Sequence, residues 1–206
     1  MLLEVIFYIA IAAEAMTAAL AAGRRQMDWF GVCVLACVTA LGGGTFRDVM
    51  LNHYPLTWVE NPWLLFICCG AALVTIALAR FMAALRWPFL LLDAVGLVVF
   101  TIIGCNVALT MGQPPVIVIV AGMITGIVGG IARDILCNDV PLVFSSELYA
   151  TVSIVAGVLY YLGLHTDLPH DLVILCTIAI GFALRVAAIV FKLQMPKFVY
   201  DKKDLH

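Results

Sequence analysis

Long apolar stretches separated by short polar ones dominate the chain. Seven such stretches, at about 3–22, 29–51, 63–79, 88–111, 115–137, 148–164 and 170–191, carry few charges. A helix crossing a bilayer needs roughly 20 mostly apolar residues, so the pattern predicts an all-α integral membrane protein with seven transmembrane helices. Turn-forming or polar segments separate them: Gly23 to Asp28, Asn52 to Pro62, Arg80 to Trp87, Gly112-Gln113-Pro114, Asn138 to Ser146 and His165 to Pro169. The tail from Gln194 is polar.

Composition moves the same way. Of 206 residues, 65% are hydrophobic and 12% charged, against roughly 45–50% and about 25% in soluble domains. Lipid must therefore be the solvent for most of the surface. A net charge of −2 excludes a nucleic-acid partner, which requires a strongly basic footprint. The first stretch reads as a retained helix and not a signal peptide, because no positive segment precedes it and both Glu4 and Glu14 interrupt it. The seven cysteines (Cys33, Cys37, Cys68, Cys69, Cys105, Cys137 and Cys176) lie in or beside apolar runs. They are expected to pack as small polarizable side chains. No cofactor or metal motif is present.

The basic residues orient the spans. Eight of the eleven Lys and Arg cluster at Arg24 and Arg25, at Arg80 and Arg86, and at Lys192, Lys197, Lys202 and Lys203. With seven spans all three sites share one side, while the opposite loops carry neither Lys nor Arg. The positive-inside rule then predicts the N-terminus outside and the C-terminus in the cytoplasm of a bacterial inner membrane. Arg185 is expected to snorkel toward the cytoplasmic headgroups. Trp29, Trp58, Trp63, Trp87, Tyr149 and Tyr200 are expected as interfacial anchors. His53, His165, His170 and His206 fall in loops or the tail without metal-ligand spacing.

The chain also repeats itself. Residues 43–56 (GGTFRDVMLNHYPL) and 129–142 (GGIARDILCNDVPL) align without a gap and share seven identities in fourteen positions. Composition would give roughly one. With a small change of offset, Glu4 falls opposite Asp93 and Gly23 opposite Gly112. Each copy holds three spans, and an odd number per copy makes the repeat inverted, as in many transport proteins. The expected organisation is a first three-helix repeat over 1–86, its inverted mate over 87–166, and a seventh helix with a basic tail over 167–206.

The best-matched stretch suggests a site. Gly42-Gly43-Gly44 in the second span and Gly129-Gly130 in the fifth are expected to kink or unwind their helices, since glycine costs about 1 kcal/mol against alanine there. Freed backbone groups cannot face lipid and would line protein or a wet cavity. Arg47-Asp48 and Arg133-Asp134 follow the glycines. Buried charges at such depth normally face the bundle interior or a water path. Because neighbouring helical residues point about 100° apart, the pairs are expected to cross between copies, Arg47 to Asp134 and Arg133 to Asp48. Broken helices that present charges at mid-membrane hold small ions and zwitterions in many transporters, so the pairs are read as a solute site. The alternative, which does not exclude the first, is that they staple the two helices without touching a solute. Glu14 lies on a small-residue face of the first span, where it could set a proton or cation site or simply pack. Asp93 is placed near the cytoplasmic mouth, where it lines a vestibule or supports neighbouring site residues instead of binding solute directly, and Glu4 at the wet outer boundary.

The doubled glycine-Arg-Asp segments, the AAGRRQMDWFG stretch after the first span and the LLDAVGLVVF start of the fourth together resemble the bacterial glycine transporter domain family. That family is similar in architecture to the trimeric intracellular cation (TRIC) channels. The resemblance covers residues 3–190. It implies a TRIC-like fold, a homotrimer, and a solute path between the second and fifth spans, with glycine as the substrate. A potassium channel of the TRIC type is the competing expectation. An enzyme is not expected, for no nucleophile–base pair or metal motif is present.

Overall fold

The computed structural model describes residues 2–79, 86–145 and 148–193, with the backbone alone described at Arg86 and Ser145. Expectations for Arg80, the Arg86 side chain, Lys197, Tyr200, Lys202, Lys203 and His206 lie outside the described residues. Every predicted apolar stretch is helical: α1 spans Leu2–Arg24, α2 Trp29–Leu51, α4 Trp63–Ala79, α5 Arg86–Thr110, α6 Pro115–Leu136, α8 Tyr149–Gly163 and α9 His170–Val190. Two short helices that the pattern does not predict, α3 (Thr57–Glu60) and α7 (Leu142–Ser145), sit in the loops ahead of α4 and α8. No strand occurs among the described residues.

Five helices, α1, α2, α5, α6 and α9, are long and apolar enough to cross a bilayer. The other two, α4 with 17 described residues and α8 with 15, are apolar but shorter. The architecture is an all-helical, multi-pass membrane fold.

Local sequence explains where the helices stop. Asp28 caps α2 by accepting a hydrogen bond from the Gly31 N–H at 2.7 Å. Asn52 and Asn138 both take left-handed conformations, with φ of 55° each, and end α2 and α6. Asparagine tolerates this region better than other non-glycine residues, which gives the repeated Asn of the two matched segments a physical reason. Pro115 opens α6 at a position whose N–H would be unpaired in any case.

Packing forms two similar groups, α1 with α2 and α4, and α5 with α6 and α8. They join where α2 crosses α6 and α1 crosses α5, and α9 lies against α5 and α8. The α2–α6 crossing is a backbone contact. A Cβ at Gly43 would overlap the Thr125 carbonyl, and a Cβ at Gly129 would overlap the Thr39 carbonyl. Neither threonine hydroxyl intervenes, because each is donated to its own helix, Thr39 to Leu35 at 2.8 Å and Thr125 to Ala121 at 2.7 Å. Small residues that let backbones touch are the main device of helix association in lipid.

The glycines therefore do something other than expected. Both α2 and α6 run uninterrupted through them, so no unwinding occurs. In lipid a broken turn would strand N–H and C=O groups at several kcal/mol each, far above the ~1 kcal/mol glycine penalty. Gly43→Ala is expected to lower stability in detergent by about 1–3 kcal/mol, the usual overpacking range. Gly70→Ala, where an added Cβ meets nothing within 4 Å, is the control in the same unfolding measurement.

Candidate solute site

Each Arg-Asp pair closes on itself at the end of its own helix. Arg47 donates to Asp48 Oδ1 from Nε at 2.9 Å and from Nη2 at 2.6 Å. Arg133 Nε donates to Asp134 Oδ1 at 2.9 Å. The expected cross-pairing of Arg47 with Asp134 and Arg133 with Asp48 is absent. The ~100° rule governs Cβ directions, but a long guanidinium stem can fold back. The glycine three residues earlier leaves room for it: a Cβ at Gly44 would lie 3.7 Å from Arg47 Nη2, and one at Gly130 3.7 Å from Arg133 Nη2.

Both acids then reach forward to a short helix. Asp48 Oδ2 accepts from the Thr57 N–H at 3.1 Å and hydroxyl at 2.8 Å, at the start of α3. Asp134 Oδ2 accepts from the Leu142 N–H at 2.9 Å, at the start of α7. His53 Nδ1 lies 3.1 Å from Asp48 Oδ1. A fully buried Asp48 is thus occupied by Arg47, His53 and Thr57, and serves to position Arg47 and cap α3.

The two arginines have different surroundings. Arg133 is completely buried and gathers groups from two other helices. Its Nη1 donates to Asp93 Oδ1 on α5 at 2.8 Å and to Thr17 Oγ1 on α1 at 3.1 Å, with Glu14 Oε2 at 4.0 Å. Glu14 in turn lies where Gly96 has no side chain; any Cβ there would overlap its carboxylate. Phe89 touches the cluster on one side, its ring centre 4.7 Å from the Arg133 guanidinium and 4.6 Å from that of the exposed Arg24. Space beside Arg133, Asp134 and Tyr149 has no room for a water molecule. Of the two expected roles Asp93 has the supporting one: it does not line a vestibule but is the buried ion-pair partner of Arg133. The same end is tied externally by an ion pair of Arg25 with Asp139.

Arg47 instead borders open space. A cavity of about 360 Å³ lies among α1, α2, α3 and α5, lined by Glu4, Arg47, Thr57 and Trp58 with Phe7 and Phe100. Small-molecule sites begin at roughly 300 Å³. Two groups in it retain bonding capacity. Glu4 is exposed and has no hydrogen bond or ion pair among the described residues. Arg47 uses Nε and Nη2 on Asp48 and Thr57, leaving Nη1 without a protein partner. The cavity thus flanks the α2–α6 contact and does not run through it.

Several other expectations change. Arg185 does not snorkel: it is fully buried with its guanidinium 4.5 Å from the Tyr149 ring centre. Tyr149 is buried and not interfacial, and Trp58 forms cavity wall, whereas Trp29, Trp63 and Trp87 are exposed. His53 and Phe89 carry contacts that the linear sequence does not signal, since both depend on partners distant along the chain or around a turn.

The glycine transporter family matches residues 4–80 and 90–165. The inner membrane protein YadS of Escherichia coli K12 is 38% identical over 94% of this chain and 95% of its own length. A Vibrio cholerae membrane protein is 38% identical over 98% of this chain and 84% of its own. The TRIC trimeric intracellular cation channel orthologue from Rhodobacter sphaeroides superposes with a TM-score of 0.88 at 34% identity, covering 93% of this chain and 98% of that one. With its fold shared across nearly the whole length and its sequence matched over both halves, the chain belongs to the glycine transporter family and has the TRIC fold.

Proposed function

We propose that the protein is a carrier for a small carboxylate-bearing solute, with glycine as the substrate, in a bacterial inner membrane. One observation carries this: beside the cavity Arg47, already paired with Asp48, still presents Nη1 without a protein partner. A guanidinium N–H that no protein group takes up donates a charge-assisted hydrogen bond to a carboxylate and offers no ligand to a bare cation. The family name agrees with such a substrate. The proposed frame is seven spans in two inverted three-helix repeats, over 1–86 and 87–166, with the last helix and tail over 167–206. The family match in two stretches and the reciprocal Gly43–Thr125 and Gly129–Thr39 contacts support it. The N-terminus is placed outside and the C-terminus in the cytoplasm, so the cavity faces outward and the Arg133 cluster inward. A homotrimer is proposed from the likeness to trimeric channels.

The likeness to TRIC channels supports a second reading, a potassium channel, in which the acids around Arg133 would offset its charge. Thermal unfolding of the purified protein separates the two. Saturating glycine is expected to raise the melting temperature, because a ligand at about 100 times its Kd stabilises by about 2.7 kcal/mol. Potassium chloride at the same concentration is expected to leave it unmoved. The reverse result favours the channel.

A further inference from the structure

The two ends of the path hold matched charges in different states. Glu4 stands opposite Asp93 in the repeat, and Arg47 opposite Arg133. At one end acid and guanidinium are in contact, at 2.8 Å and wholly buried. At the other they line one cavity, Glu4 with no partner and Arg47 with Nη1 free. A charge sheltered from water needs a counter-charge. Asp93 and Arg133 supply one another; Arg47 has Asp48 as its anion but keeps Nη1 free, and Glu4 has no cation in contact.

We infer that the Glu4–Arg47 cavity is a binding site for a small zwitterion, in which Arg47 holds the carboxylate and Glu4 the ammonium. The ligand takes up the bonds that Asp93 and Arg133 make directly in the closed half. This rests on the carrier reading and assigns its site. An anion alone would meet Arg47 but be repelled by Glu4, and a cation alone the reverse, so the pair selects molecules bearing both charges. Thr57, whose hydroxyl accepts from Arg47 Nη2 at 3.2 Å, fixes one wall. Phe7, Trp58 and Phe100 supply the apolar walls, which favour a ligand without a further polar side chain. Continuing the offset that pairs Glu4 with Asp93 places Ile103, another cavity residue, opposite Glu14. Apart from the aspartates of the Arg-Asp pairs, the open end therefore has one acid, Glu4, where the closed end has two, Asp93 and Glu14. Glu4 alone of the three has no guanidinium in reach.

Glu4→Gln tests this, because Glu4 is exposed and has no protein partner to lose. Calorimetric titration with glycine, and with glycolate as the analogue lacking an ammonium, is run on the wild type and on this variant. Loss of a charge-assisted partner is expected to weaken glycine by about tenfold or more, to leave glycolate unchanged or tighter because the repelling carboxylate is gone, and to leave the melting temperature unchanged. Glu4→Asp should recover part of the glycine affinity. A fall for glycine of less than about threefold, or an equal fall for both ligands, overturns the assignment. Wild-type protein that binds no glycine overturns the carrier reading, and this assignment with it; binding that survives Glu4→Gln overturns the assignment alone.

Discussion

Arg133→Met is expected to destabilise the protein by about 3–5 kcal/mol, the range for removing one partner from a buried ionic group. Asp93, Asp134 and Glu14 all face this one guanidinium, with Asp93 at 2.8 Å, Asp134 at 2.9 Å and Glu14 at 4.0 Å. Methionine matches the stem but leaves three carboxyl groups without a cation in a space that excludes water. The loss should be visible as a large fall in melting temperature, or as aggregation on extraction from the membrane. Adding Asp93→Asn and Glu14→Gln to Arg133→Met is expected to recover a good part of the stability, because neutral amides have less to lose on burial. Full stability in Arg133→Met alone would mean that the cluster is not held together by its charge.

Asp48→Ala is expected to act at the other end, lowering stability by about 3 kcal/mol and removing solute binding. The carboxylate neutralises Arg47, which is 3% exposed, and caps α3 through Thr57. Without it the guanidinium has no anion, and the segment carrying Thr57 and Trp58 loses its anchor to α2. Both residues line the cavity, so binding should fail even where the fold survives. Asp48→Asn keeps the acceptor oxygen for Thr57 and should cost about half as much. Unfolding in detergent, repeated with and without glycine, reads both effects at once: a lower baseline and a ligand-induced shift that disappears.

Much of the fold is legible in the linear pattern, for a specific reason. Lipid forces every backbone bond to be satisfied within a helix, so an apolar run of sufficient length has few alternatives. That is why helices occupy all seven predicted stretches with ends close to the polar segments. The matched segments also encode how each helix ends. Their shared Asn marks the left-handed turn after each helix. Their shared Arg-Asp marks a local clasp and not a bridge between copies.

What escaped was set by tertiary partners. Gly43 and Gly129 look like breaks when only helix propensity is considered, yet each is a contact point for the other helix's carbonyl. Arg185 sits seven residues before Lys192, a spacing that suggests a headgroup anchor, but Tyr149 on α8 gives it a buried face to lie on. Glu4 looks like a wet boundary residue because nothing near it in sequence is basic. Only the packing of α1 beside α2 brings it to the same cavity as Arg47.

The central claim is that a small zwitterion, and not a metal cation, passes through each protomer. Reconstitution into liposomes tests it most directly, with labelled-glycine counterflow and single-channel current in potassium recorded on the same preparation. Saturable counterflow without unitary openings is the predicted result. Potassium openings in protein that exchanges no glycine would contradict it.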